Sequence, residues 1–257
     1  MPSTVLAGLM TCHASPAPLP DHLNTFVESA EHGVIYVSFG SVIKASKMPE
    51  DKRKLMLNVF SRLKQKVIWK WETEMPDAPP NVLISSWLPQ TSLLAHRNVK
   101  VFVTHGGAGS TQETICHKTP IVGVPIFGDQ VVNVKEAVNK KVGVKLEWHG
   151  MTEETLEQAV LEVLSNPQYQ SSVDLLSDLI MDQPQHPLER AVWWLEYLLR
   201  HPHNSNMKPH THNLSWVQYF LLDVIFVVLS TILFLIFVLV KLVRCCCCGN
   251  RNKSKKD

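Results

Sequence analysis

The sequence predicts an α/β fold, a Rossmann-like doubly wound parallel sheet, followed by one transmembrane helix. Three observations carry that reading. Short β-branched runs alternate with stretches of helical spacing over residues 31–200, the pattern of repeated βα units. Those runs are apolar throughout rather than at every second position, as expected of strands covered on both faces. Near the C-terminus, Phe220 to Val240 makes 21 residues with a single charge, Asp223. At about 1.5 Å per residue that run can cross roughly 30 Å of hydrocarbon.

Residues 1–30 carry Gly8, Pro16, Pro18 and Pro20 with little periodicity, and read as an interdomain linker closing in a short helix from Asp21 to Ala30. Residues 31–200 form the expected sheet domain. Its strands fall at Val34–Phe39, Val67–Trp71, Val82–Ser85, Val101–Thr104, Ile121–Val124 and Val142–Leu146, each bounded by Gly, Pro or polar residues. Helices fill the gaps at Glu50–Lys64, Thr91–Ala95, Ser110–His117 and Gln130–Asn139. A Thr-x-x-Thr start at Thr152 and the Asn166-Pro167 stop delimit a further helix, Thr152–Leu164. Two more follow over Gln168–Met181 and Pro187–Arg200; the second holds Trp193, Trp194 and Tyr197, for which core packing is the default, with part of the cluster left exposed if these helices cross toward a preceding domain. Residues 201–216 read as a juxtamembrane stalk, 217–243 as the membrane helix and 244–257 as a cytoplasmic tail. In the stalk, His201, His203, His210 and His212 have a spacing that suits no helix or hairpin site, so a solvated segment is expected there. Asn213-Leu214-Ser215 is a formal glycosylation sequon beside the bilayer.

Apolar residues make up 45% and charged residues 19% of the 257, ordinary for a globular chain with one membrane segment. The net charge of +2 is lopsided: Lys241, Arg244, Arg251, Lys253, Lys255 and Lys256 follow the apolar run, against Asp223 and Asp257 beyond Ser215. The remainder holds 19 basic and 21 acidic residues, which gives no support to nucleic-acid binding. The basic flank marks the tail as cytoplasmic and puts the globular part on the lumenal side. Four of the six cysteines form the run Cys245–Cys248, a candidate for acylation. Cys12 and Cys116 imply no disulfide framework, and Cys116 reads as a small buried apolar residue. Met1–Met10 does not read as a secretory leader.

The densest chemistry lies between Trp87 and Gln130. A site for a nucleotide-sugar must grip a flat base, ribose hydroxyls, a diphosphate and a sugar, and open α/β sheets do so at the carboxyl ends of their strands. Trp87 follows one such end, with Gln90 three residues on. His105 ends the next strand, and Gly106-Gly107 let backbone approach a ligand before a helix whose N-terminal N–H groups suit an anion. Ser110-x-x-Glu113 also fits a helix capping box, and Asp129 also fits an N-cap. A dinucleotide fingerprint fails, because Gly107-Ala-Gly109-Ser-Thr-Gln112 lacks the third Gly and follows a late strand. An esterase loop fails too, since no G-x-S-x-G elbow exists.

Trp87, Gln90, His105, Gly106, Gly107, Ser110, Glu113, Pro120, Pro125, Asp129 and Gln130 stand at spacings that resemble the signature of the UDP-glucuronosyltransferases and UDP-glycosyltransferases. The resemblance implies the C-terminal, donor-binding half of a GT-B fold. It implies that Trp87 stacks on uracil, Gln90 and Glu113 hold base and ribose, and His105, Gly107 and Ser110 meet the diphosphate. Asp129 and Gln130 would hold the sugar. Ser38-Phe39-Gly40-Ser41 resembles the family's second diphosphate turn, with Ser41 as the contact. Gly109 departs from relatives that carry a larger residue there. The implied reaction is inverting transfer of glucuronosyl or glucosyl from a UDP-sugar to a small lipophilic acceptor, with no cofactor and no metal. The family's general base, a His oriented by an Asp, belongs to the preceding half, so no residue here is expected to be catalytic. The alternative is a short inactive membrane protein that binds UDP-sugar weakly, or pairs with full-length transferases as a homo- or hetero-oligomer. Lys253 and Lys255 resemble the K-x-K-x-x retrieval signal, which implies an endoplasmic reticulum membrane address.

Overall fold

The computed structural model describes residues 4–12, 16–202 and 213–251. It divides into a unit over Leu6–Leu195 and a second made of Met1–Val5 with Glu196–Asp257. In the first unit, β-branched runs become β1 (Val34–Ser38), β2 (Lys66–Lys70), β3 (Val82–Ser85), β4 (Val99–Thr104), β5 (Ile121–Gly123) and β6 (Gly143–Lys145). They form one sheet in the order β3-β2-β1-β4-β5-β6, every pair parallel. The order reverses between β1 and β4. Ser38 pairs with Thr104, so those two strands end level and their carboxyl-end turns lie side by side.

Strand alternation sends the two faces to two cores. Ile35, Val37, Val67, Trp69, Val101 and Val103 pack with Met56, Val59 and Phe60 of α2 (Glu50–Arg62) and with Leu156, Val160 and Val163 of α6 (Glu153–Ser165). Val34, Tyr36, Ile68 and Phe102 face the other way. They meet Leu23 and Val27 of α1 (Asp21–Glu28), Leu93 and Leu94 of α3 (Gln90–Leu94), Ala137 of α5 (Gln130–Asn139) and Val173 of α7 (Pro167–Met181). Covering both faces is what a sheet of wholly apolar strands demands.

Local signals set several boundaries. Thr152 and Thr155 form a reciprocal capping box at the start of α6, and the Asn166 side chain accepts from the Gln168 N–H ahead of Pro167, the first residue of α7. The Asn81 side-chain amide donates to the carbonyls of Phe60, Leu63 and Gln65 and so ties the end of α2 to the entry of β3. At Gly143 an added Cβ would stand 2.2 Å from the Ile121 carbonyl oxygen, so only glycine lets β6 close against β5.

Three expectations are corrected. The helix expected from Ser110 begins at Ala108, so α4 runs Ala108–Cys116 with Gly107 at its N-cap. The aromatics of α8 (Pro187–Arg200) are not core: Trp193 is exposed, Trp194 and Tyr197 are half-buried, and Pro187 is the helix's one buried residue. Cys116 is not a lone apolar filler, because it forms a disulfide with Cys12, whose Cα lies 5.4 Å away across a sequence separation of 104. Cysteine count and spacing miss that bond, since only the tertiary fold brings residues 9–12 to the end of α4. His186 and Arg190 hold the same segment through the carbonyls of Cys12 and Leu6.

In the second unit, Ser215 caps a short turn of helix, α9 (Trp216–Tyr219). A break at Leu221, φ +54°, separates it from α10 (Leu222–Arg251). Leu222–Arg244 is long and apolar enough to span a membrane, and none of its side chains is buried within the chain. The stalk histidines His203, His210 and His212 and the signal residues Lys253 and Lys255 lie outside the described residues. So do the side chains of Cys245–Cys248.

The disulfide closes a loop long enough to restrict the unfolded chain strongly, so Cys12→Ser is expected to lower the stability of the first unit by about 2 to 5 kcal/mol in thermal or urea denaturation. Peptide mapping should find Cys12 and Cys116 protected from alkylation until reductant is added. Alkylation of both in the unreduced protein would show the bond to be absent.

Candidate functional site

The carboxyl ends of β1 and β4 carry two glycine turns that meet across one imidazole. Gly40, φ +83°, follows β1, and Gly106, φ +80°, follows β4. Side chains brace both turns: Ser38 Oγ accepts from the Gly40 N–H and Thr104 Oγ1 from the Gly106 N–H, each at 3.3 Å. The His105 ring sits between them. A Cβ added at Gly40 would lie 2.8 Å from its Cε1 and one at Gly107 would lie 2.6 Å from its Nε2, so glycine at both positions is what admits the ring. At Gly106 the limit is α5, where a Cβ would fall 2.3 Å from Val134 Cγ2.

His105 Nδ1 is buried and has no hydrogen-bond partner among the described residues. Burial is the main reason its pKa falls below the usual value; the charge of Asp129 opposes the shift and that of Lys70 adds to it. The imidazole is therefore neutral at pH 7, with one N–H to donate.

Beside this turn opens a cleft of about 740 Å³, whose lining includes Ser41, Lys70, Trp87, Gln90, Thr91, Ser110 and Glu113. Trp87 presents its ring with 76% of the residue exposed, unusual for so large an apolar group and suited to stacking. Opposite, α3 and α4 are clasped by side chains. Gln90 donates to Ser110 Oγ at 3.2 Å and to Glu113 Oε2, while Thr91 Oγ1 donates to Glu113 Oε1 at 2.7 Å. The capping-box reading of Ser110 and Glu113 does not hold: Ser110 is the third residue of α4, and the carboxylate faces α3 rather than its own helix N-terminus.

Asp129 does stand at the N-cap of α5, but its side chain makes no cap bond. Its Oδ2 accepts instead from Asn133, whose amide also reaches the Gly106 carbonyl and so couples α5 to the His105 turn. Gln130 is buried, and its Oε1 accepts from the N–H groups of Ile126 and Phe127, shaping the loop after β5. The fold thus brings Ser41, Trp87, Gln90, Ser110 and Glu113 to one cleft. His105 and Gly107 lie at its Gly40 edge, and Asp129 and Gln130 lie outside its lining, beyond the His105 turn.

Two participants escape a reading of the sequence. Tyr36 is fully buried and its hydroxyl donates to Gln90 Oε1 at 3.2 Å. Burial, opposed by a bond to Ser38 and aided by the charge of Glu113, pushes its pKa well up and keeps it protonated. Its signal in the sequence was slight, a lone hydroxyl among the apolar residues of β1. Lys70 ends β2, and nothing in its neighbourhood in sequence points to a site.

A family model described as "UDP-glucoronosyl and UDP-glucosyl transferase" matches residues 1–257. UDP-glucuronosyltransferase 2B14 of Oryctolagus cuniculus is 41% identical over 232 residues, which are 89% of this chain and 43% of that protein. The 2-hydroxyacylsphingosine 1-beta-galactosyltransferase of Mus musculus is 39% identical over 242 residues, 93% of this chain and 44% of the relative. The chain thus spans less than half the length of these relatives. Among solved structures, spinosyn forosaminyltransferase SpnP superimposes with a TM-score of 0.61 over 73% of this chain and 48% of its own at 20% identity, a likeness of fold alone. Matched over its whole length and folded as the C-terminal half of a GT-B structure, the chain belongs to the UDP-glucoronosyl and UDP-glucosyl transferase family.

Proposed function

We propose that this chain carries the UDP-sugar site of a glycosyltransferase that moves a glucuronosyl or glucosyl group to a small lipophilic acceptor, inverting the anomeric carbon. One observation carries the reading: a bare aromatic plate, Trp87, shares a cleft at the switch point of the sheet with a carboxylate, Glu113, that Gln90 and Thr91 hold in position. Uracil stacks on Trp87, an interaction worth about 1 to 3 kcal/mol for a base on an aromatic side chain. Each Glu113 oxygen has a further lone pair beyond its bond to α3, and these accept the ribose hydroxyls while Gln90 turns to the base or ribose.

The diphosphate then falls against Ser41, Ser110, the Gly107 backbone and the N-terminus of α4, whose N–H groups and dipole favour an anion. His105 donates to the same group. As the bond to the sugar breaks and charge gathers on UDP, a fixed donor there stabilises the departing anion more than the ground state. Asp129 and Gln130 serve the sugar. The relatives' names span glucuronosyl and galactosyl transfer, so likeness to these proteins goes with more than one sugar.

We further propose an endoplasmic reticulum membrane protein with the globular part lumenal and the tail cytoplasmic. The basic residues after the apolar helix support that orientation, and the Cys12–Cys116 bond agrees with an oxidising compartment.

His105→Ala is expected to weaken UDP binding by about 1 to 3 kcal/mol, the value of a hydrogen bond to a charged group; unchanged affinity in calorimetry would remove His105 from the site. By NMR, His105 should titrate below pH 6.5 in the free protein and move upward when UDP binds, because an adjacent anion favours the imidazolium. With its folded pKa depressed, its neutral form contributes stability above the unfolded pKa that is lost as pH falls through the folded pKa, so stability should decline on acidification below about 6.5. A pKa that stays put on saturation with UDP would refute contact. In sealed microsomes, protease should remove an epitope fused after Asp257 and spare the sheet unit; a protected epitope would reverse the topology.

A further inference from the structure

A diphosphate brought into a half-closed cleft needs a counter-charge, because removing its negative charges from water without one is costly. Among the described residues that line the cleft, Glu113 is the one acid and Lys70 the one cation. The residues matched to the family signature would supply hydrogen bonds and a helix dipole around the phosphates, but none of them is a permanent cation. We propose that Lys70 is the electrostatic anchor of the donor diphosphate, a binding residue that bridges the nucleoside end and the sugar end of the site. This rests on the reading of the cleft as a UDP-sugar site.

The geometry of β2 carries the inference. Lys70 is its last residue, and β2 neighbours β1 in the sheet with Val37 opposite Trp69, so Lys70 emerges beside the Ser38-Phe39-Gly40-Ser41 turn. Its ammonium donates to the Gly40 carbonyl at 2.5 Å and stands 5.9 Å from the centroid of the Trp87 ring. It is also close enough to His105 for its charge to oppose protonation of the imidazole. The cation therefore lies between the base plate and the imidazole turn. A chain running from uracil on Trp87 to a sugar beyond His105 has to pass it. An ammonium has three N–H groups; Gly40 takes one, and no other acceptor for them occurs among the described residues. The competing role is purely local, with Lys70 pinning the Gly40 turn and shielding Trp87, and it predicts equal importance for ligands with and without phosphate.

The test compares UDP with uridine on the full chain in detergent, by calorimetry, for wild type, Lys70→Gln and Lys70→Arg. Lys70→Gln should lose about tenfold to a hundredfold in UDP affinity, the range for a hydrogen bond to a charged group. Uridine affinity should hold, and Lys70→Arg should restore most of the loss. In the wild type, the preference for UDP over uridine should shrink as salt is raised, a readout that needs no variant. Equal losses for UDP and uridine, an undiminished UDP affinity in Lys70→Gln, or a salt-independent preference would each overturn the proposal. Wild-type protein that binds uridine and UDP alike would overturn it while sparing the nucleoside site. Wild-type protein that binds neither would refute the reading of the cleft itself, and the role of Lys70 with it.

Discussion

The chemistry of the first unit depends on how closely two backbone turns can approach one side chain. His105 occupies the space between Gly40 and Gly107, and a methyl group at either position would lie within 3 Å of the ring. Because Ser38 and Thr104 end their strands level in register, the turns after β1 and β4 reach the same height at the edge of the sheet. Removing either glycine would force the ring or a turn to move, and Ser41 and the start of α4 follow directly on those turns. The remaining elements serve to keep this approach: Val134 of α5 bears on Gly106, and Asn133 ties the same helix to its carbonyl.

The α3–α4 side of the cleft is organised by a different means. Gln90, Thr91, Ser110 and Glu113 bond one another across α3 and α4, and the buried hydroxyl of Tyr36 holds Gln90 from beneath. A carboxylate that already accepts from Gln90 and Thr91 is held in one orientation across the two helices. The disulfide belongs to the same arrangement. Cys116 ends α4, and Cys12 follows Thr11, which lines the cleft, so the bond fastens the N-terminal segment to the helix that bears Ser110 and Glu113.

The fold was legible in the sequence to within a few residues at most boundaries, because both faces of the sheet are buried. Wholly apolar β-branched runs have few alternatives, and Gly143, Asn166-Pro167 and the Thr152 cap punctuate them locally. The long apolar helix is legible for a similar reason, since such a run needs no tertiary partner to be recognised. Legibility failed where residues far apart in sequence meet. Cys12 and Cys116 share no local pattern, and the exposed face of α8 differs from a buried one only in what lies against it.

The site divides along the same line. Trp87, Gln90, His105, Gly107, Ser110, Glu113, Asp129 and Gln130 fall within one tract whose spacing is set by local strand-to-helix turns, so the sequence by itself determined which residues stand at or just after the carboxyl ends of the strands. Which of them face one cleft, and which partner each side chain takes, was decided by the tertiary structure. The order β3-β2-β1-β4 sets the end of β2 beside the turn that follows β1, and so brings Lys70 to Gly40 and Trp87. No periodicity records that order, because every parallel pairing in the sheet joins strands separated by a crossover, and the hydrophobic pattern of a strand is the same whichever neighbour it takes.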